Sequence, residues 1–271
     1  MKELKEYIEK SLKVPYWYDG HIHLFNHIKS IEKPIGMSKM VGFIDLEFDA
    51  GKIDVLGAYD SFISSEYNDD VILLATGVTI EDIKAVFEKH REYIKGFGEL
   101  KCYDTYQDAP VPYKKISFVQ SVCRLSRDNG CLPVYVHWDL NDEVDVKKIG
   151  KLLSDFPMIP IVLCHSGMNN SNMDFAYMNA IMLQRQYSNL WIDISYSALD
   201  HLSNNINQVF QYDLSRVIVG TDLNNKLWGP NHDTQKEVSE ILRKFKEFIN
   251  TTSIDNKANI SRLFNLPRKE L

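Results

Sequence analysis

An eightfold alternation of short apolar runs with amphipathic stretches predicts a (β/α)8 barrel, the TIM-barrel architecture. Two further observations support it. Runs such as Val71-Ile72-Leu73-Leu74-Ala75-Thr76 are continuously apolar, the pattern of parallel strands buried on both faces. The length of 271 residues also suits such a barrel, which typically takes about 250 in one domain. No composition break, linker or low-complexity segment interrupts residues 1–271, so the chain reads as a single domain with an extra C-terminal helix. The competing architecture is an open doubly wound sheet. Against it, no glycine-rich fingerprint follows the first strand, where two histidines stand instead.

Taken in order, Trp17 to Leu24 predicts the first strand and Met40 to Leu46 the second, with a helix around Asp54 to Tyr67. After strand three, Thr79-Ile80-Glu81-Asp82 is a capping box with Asp in its last position. Ile83, Val86, Phe87 and Ile94 form the apolar stripe of the helix it opens. Gly96 to Tyr103 is strand four. Lys115 to Asn129 is a helix stopped by Gly130, and Leu132 to His137 is strand five. Val144 to Phe156 and Asp174 to Tyr187 are helices on either side of strand six, Ile159 to His165. Leu190 to Tyr196 is strand seven, and a helix near Leu202 to Tyr212 leads to strand eight, Arg216 to Asp222. Thr234-Gln235-Lys236-Glu237 opens the last long helix, and a terminal helix around Ala258 to Phe264 closes the chain.

Composition narrows the function classes. Hydrophobic content of 44% and charged content of 25% are those of an ordinary soluble globular protein. A net charge of −6 with no basic stripe argues against a nucleic-acid partner. No stretch approaches the ~20 apolar residues of a membrane span. Met1-Lys2-Glu3-Leu4-Lys5-Glu6 opens a charged helix and not a signal peptide, so a cytoplasmic protein is expected. Cys102, Cys123, Cys131 and Cys164 form no C-x-x-C pair, which predicts reduced, mostly buried thiols.

The first strand carries the chemistry. In Asp19-Gly20-His21-Ile22-His23 the alternation of a strand puts His21 and His23 on one face, and two imidazoles on a rigid face offer half a tetrahedral metal site. The other candidate ligands fall at predicted strand ends: Glu99 late in strand four, His137 closing strand five, His165 closing strand six and Asp222 closing strand eight. In a barrel these ends converge on one mouth, so the six metal-type residues meet there.

That ordered set resembles the amidohydrolase superfamily. The matching pieces are Asp19-Gly20-His21-Ile22-His23, Gly96-Phe97-Gly98-Glu99, His137, His165-Ser166-Gly167, Gly220-Thr221-Asp222 and the closing Asn259 to Leu266, which together span nearly the whole chain. The His-Ser-Gly, Gly-Thr-Asp and Arg-Leu-Phe pieces are most similar to the amidohydrolase 2, or amidohydrolase-related, branch. The resemblance implies that His21, His23 and Asp222 hold one divalent metal, with zinc expected. It implies that His137 and His165 hold a second, with Glu99 as the bridge. A carboxylated Lys101 on the same face is the alternative bridge, and members with one metal leave Glu99 and His137 for substrate.

A mechanism follows from this ligand set. Asp222 accepts the proton of a metal-activated water as it attacks a carbonyl carbon or a phosphorus, then delivers it to the leaving group. His165 or His137, where not used for coordination, stabilises the oxyanion. Asp19, of the same parity as His21, either orients a ligand or makes a structural hydrogen bond. Trp138, Asp139, Asn169, Asn170, Tyr196 and Asn224 to Trp228 are the candidate substrate contacts, suited to a small polar or cyclic molecule. Amide, lactone and ester bonds stay open. A decarboxylase of the same superfamily is the runner-up, with Lys101 and Arg124 as the cations for a carboxylate. A non-catalytic ligand-binding barrel is the third reading, against which stands Asp222. A phosphodiesterase is disfavoured by the acidic balance. A homo-oligomer is compatible with all of these.

Overall fold

The computed structural model describes residues 17–24, 37–44, 54–64, 71–77, 79–102, 116–140, 142–168, 173–222 and 234–266. Among them eight parallel strands form one sheet in chain order. They are β1 (Trp17–Leu24), β2 (Met37–Ile44), β3 (Val71–Ala75), β4 (Ile94–Lys101), β5 (Val134–His137), β6 (Ile161–Leu163), β7 (Leu190–Ile194) and β8 (Val217–Val219). The helices are α1 (Val55–Ile63), α2 (Ile80–Lys89), α3 (Ile116–Asp128), α4 (Glu143–Asp155), α5 (Met173–Gln186), α6 (Tyr196–Asn204), α7 (Ile206–Val209), α8 (Thr234–Thr252) and α9 (Asn256–Leu263). This is the predicted (β/α)8 barrel.

The end of β8 returns to β1. The Asp222 backbone N–H donates to the His21 carbonyl at 2.9 Å. The two segments approach so closely that a Cβ on Gly220 would stand 2.4 Å from the Cβ of His21, so only glycine fits there. Asn256 of α9 fastens the same seam. Its amide donates to the carbonyls of Tyr18 and Val219 at 2.6 and 2.8 Å, and its Oδ1 accepts from the Val219 N–H at 2.8 Å.

Two apolar cores follow from the alternation of side chains across the strands. Inside the barrel, Tyr18, Val41, Ile72, Leu74, Tyr135, Val162, Trp191 and Ile218 pack with Ile260, Leu263 and Phe264, so α9 and the residue after it plug the end where the strands begin. Outside, the opposite faces of the strands pack on α1 to α8. Several helix starts are capped by side chains. Thr79 and Asp82 form the predicted reciprocal capping box. Asp54, Asp142 and Asp255 cap α1, α4 and α9 through their carboxylates.

Several boundaries differ from expectation. Ile94 belongs to β4 and not to the preceding helix, which stops at the cap residue His90. Strand β6 ends at Leu163 and β8 at Val219, so His165 and Asp222 lie beyond the strands and not at their last residues. Tyr196 opens α6 instead of ending β7, and two helices, α6 and α7, replace the one expected near Leu202 to Tyr212. The charged helix expected at Met1 to Glu6, and the side chains of the Thr234 capping box, lie outside the described residues. All four cysteines are free thiols, with Cys102, Cys123 and Cys164 buried. Among the described residues no helix is long and apolar enough to cross a membrane.

Candidate metal centre

Two bulges deliver the central side chains to the mouth. Between the pairs Asp19↔Met40 and Ile22↔Gly42, β1 carries one residue more than β2, and this irregularity falls at Gly20 and His21. Between Phe97↔Val134 and Leu100↔Val136, β4 carries one more than β5, at Gly98 and Glu99. A bulge breaks strict alternation and re-aims a side chain. Gly98 makes the second one feasible: its φ is +121°, and a Cβ there would stand 2.5 Å from the Tyr135 carbonyl oxygen. Beyond the strands, His165, Ser166 and Asp222 all take left-handed backbone, with φ of 51°, 55° and 54°. Such residues are strained by about 1–3 kcal/mol each and cluster at functional sites.

Glu99 Oε1 is the hub. It lies 2.7 Å from His137 Nδ1, 3.4 Å from His165 Nε2 and 4.0 Å from His21 Nε2. Asp222 Oδ1 stands 3.2 Å from the same His21 nitrogen. All five residues are buried. Lys101, the last residue of β4, pairs in register with His137 and places its ammonium 3.9 Å from Glu99 Oε2. Five of the six predicted site residues therefore meet. The sixth, His23, sits on β1 opposite Phe43 of β2, and its side chain lies outside the described residues.

Sequence reasoning missed Asp193 and Ser195. Asp193 Oδ2 stands 2.7 Å from His21 Nδ1, accepts from the Ser195 hydroxyl at 2.7 Å and accepts from the His165 backbone N–H at 3.3 Å. Ser195 Oγ in turn lies 2.9 Å from His165 Nδ1. The signal was present: Leu190-Trp191-Ile192-Asp193-Ile194 sets one acid inside a strand buried on both faces, and such an acid needs a partner. Asp19 also proves structural in its contacts. Its carboxylate accepts from the backbone N–H of His21 and Thr221 and from the Thr221 hydroxyl, joining β1 to the segment after β8.

Among the expected substrate contacts, Trp138 is buried in the outer core, with the Lys148 ammonium 5.3 Å from its ring centre. It faces no pocket. Asp139 is buried beside His137, its Oδ1 3.9 Å from Nε2. Asn169, Asn170, Asn224 to Trp228 and the Tyr196 side chain lie outside the described residues, and Arg124 is exposed on α3.

The electrostatics call for positive charge. Asp19, Glu99, Asp193 and Asp222 are four buried carboxylates in one neighbourhood. Burial opposes a charge on His21, yet the Asp193 and Asp222 carboxylates outweigh it and hold the imidazole's pKa well above its usual range. Burial likewise opposes ionisation of Glu99, and His137, His165 and Lys101 more than reverse this, holding it well below the carboxylate range. Burial pushes His137 down to about 4, so it is neutral at pH 7.

The donor set fits a divalent cation. Ligand atoms about 2.0–2.1 Å from a tetrahedral ion stand roughly 3.3–3.4 Å apart. The separations of 3.2, 3.4 and 4.0 Å among His21, Asp222, Glu99 and His165 bracket that value. The triads Glu99–His137–His165 and His21–Glu99–Cys164 each offer ligand atoms within 4.8 Å of one another. The proton drawn to His21 is what such a cation would displace.

Fold and mouth together define a class: a parallel barrel presenting histidines and carboxylates where its strands end. No protein-family model and no curated protein matches the sequence. Among solved structures the chain is similar to a zinc-bound amidohydrolase from Burkholderia multivorans, with TM-score 0.56 and 14% identity over 92% of this chain and 99% of that one. It is similar to a dihydroorotase from Campylobacter jejuni, with TM-score 0.53 and 14% identity over 93% and 84% of the two chains. It is also similar to a 2,6-dihydroxybenzoate decarboxylase from Rhizobium, with TM-score 0.51 and 14% identity over 93% and 99%. The amidohydrolase resemblance read from the motifs is thus borne out at the level of the fold.

Proposed function

We propose that the protein is a metal-dependent hydrolase of the amidohydrolase type, acting on an amide, lactone or ester bond of a small molecule. The observation that carries this reading is the convergence of His137, His165 and His21 on Glu99 Oε1, with Asp222 against His21. His21, His23, Glu99, His137, His165 and Asp222 would hold one or two divalent ions, with zinc favoured by the histidine-rich donor set. Bound there, the metal supplies Lewis acidity, polarising a carbonyl and making water acidic near neutral pH.

The chain's own groups do the rest. Asp222 takes the proton of the attacking water and hands it to the leaving group, acting as base and then acid. Its left-handed backbone and its N–H bond to the His21 carbonyl fix the carboxylate at the mouth. His165 turns Nε2 towards Glu99, so it serves as a ligand in preference to an oxyanion donor.

A second reading, decarboxylation, draws support from Lys101. Its side chain is about a quarter exposed at the end of β4, where an ammonium would pair with a substrate carboxylate. Elemental analysis of protein purified without added metal, with a screen of small lactones, amides, esters and aromatic carboxylates, tests both. The expected result is stoichiometric divalent metal and chelator-sensitive hydrolysis. Release of CO2 without hydrolysis would favour the second reading, and protein that neither retains nor takes up metal would sink both.

A further inference from the structure

We infer that Asp193 is a positioning residue that sets the tautomers of His21 and His165 together, so that both present Nε2 to the mouth. The inference rests on the metal-site reading and adds to it a residue outside the ligand set.

The hydrogen-bond directions decide the matter. Asp193 Oδ2 gathers three contacts: His21 Nδ1 at 2.7 Å, the Ser195 hydroxyl at 2.7 Å and the His165 backbone N–H at 3.3 Å. An ionised carboxylate only accepts, so His21 must donate through Nδ1–H. In a neutral imidazole the lone pair then sits on Nε2, the nitrogen facing Asp222 and Glu99. The Ser195 hydroxyl spends its one proton on Asp193. Its oxygen is therefore an acceptor towards His165 Nδ1 at 2.9 Å, and His165 too must carry its proton on Nδ1. Its Nε2 lone pair faces Glu99 Oε1. One carboxylate thus orients two rings, one from β1 and one from the turn after β6, the first directly and the second through a hydroxyl.

Burial strengthens the arrangement. Asp193, Ser195 and His21 are fully buried, and His165 nearly so, so no water competes for these bonds. The other oxygen, Asp193 Oδ1, is buried and accepts no hydrogen bond from the described residues, so the group's hydrogen bonding falls on Oδ2. Partners of this kind raise the basicity of a ligating imidazole and fix its orientation, and losing one typically weakens metal affinity about 10- to 100-fold.

The test is zinc affinity by chelator competition on the full chain, with the visible spectrum of the cobalt-substituted protein as a second readout. Asp193→Asn should bind zinc about 10- to 100-fold more weakly and show an altered cobalt spectrum while its far-UV circular dichroism is unchanged. Ser195→Ala should weaken binding by a smaller factor, and Ser195→Thr, which keeps the hydroxyl, should restore it. The serine pair decides the question if Asp193→Asn does not fold. Wild-type affinity and an unchanged cobalt spectrum in Asp193→Asn, or in Ser195→Ala, would overturn the inference and leave the metal site standing. Absence of zinc binding by the wild type would instead overturn the metal reading itself.

Discussion

His137 Nδ1 stands 2.7 Å from Glu99 Oε1, the same oxygen that lies 3.4 Å from His165 Nε2. That oxygen also lies 4.0 Å from His21 Nε2, so Glu99 stands between the imidazole read for one cation position and the two read for the other, where the proposed bridge would lie. Glu99→Gln keeps the shape and removes the charge that offsets two cations. If Glu99 bridges two ions, metal content by elemental analysis should fall from about two per chain towards one. If Lys101→Ala lowers the ratio and Glu99→Gln does not, a carboxylated lysine is the bridge.

Asp19 gives a pH-dependent signature of the seam between β1 and the segment after β8. Burial pushes its carboxyl up to about 6 from an ordinary 3.8, against the opposing bonds from Thr221 and His21. Between those values the folded protein keeps a proton that the unfolded chain has given up. The stabilising contribution is therefore complete below pH 3.8 and lost as pH rises through about 6. At about 1.4 kcal/mol per pKa unit this amounts to roughly 3 kcal/mol. Asp19→Asn is neutral throughout. Its Oδ1 can still accept from His21 and Thr221, and its amide can donate to the Thr221 hydroxyl. In urea unfolding with chelator present, the stability of wild type minus that of Asp19→Asn should drop by roughly 2.5 kcal/mol between pH 4 and pH 7. A difference that stays flat with pH would show that Asp19 does not titrate in this way.

The fold was legible because its signals are redundant. Continuous apolar runs, a capping box at Thr79 and a histidine pair on the first strand each point to the same barrel, and α9 occupies the place predicted for the extra helix. The candidate site was legible in its ligand types, since His137, His165, Glu99 and Asp222 stand out among apolar neighbours. What strand periodicity does not encode is a bulge or a left-handed residue. The extra residues at Gly20–His21 and Gly98–Glu99 fall where neighbouring backbone comes close, while the left-handed turns at His165 and Asp222 are tied by their N–H groups to Asp193 and to the His21 carbonyl. Asp193 was passed over because an acid within an apolar strand acquires its meaning only from partners 28 and 172 residues away.

Asp222 separates catalysis from binding, and the structure makes the decisive variant a fair one. Asp222→Asn keeps the side chain's size and one oxygen towards His21. Asparagine also tolerates the left-handed backbone, here φ 54°, better than most residues, so the hydrogen bond from its N–H to the His21 carbonyl should persist. Metal content at saturating zinc should be close to that of the wild type, with the fold intact. Proton transfer should nevertheless fail, because an amide has no basic oxygen to take a proton from water. A general acid–base group typically contributes 10²- to 10⁴-fold, and a residue serving as base and then acid should place the loss in kcat near the upper end. The wild-type pH–rate profile should rise through an apparent pKa that belongs to the coupled site and not to Asp222 alone. In the variant that rise should shift or vanish. Turnover near the wild-type level with an unchanged profile would mean that another group carries the proton, even with the metal still in place.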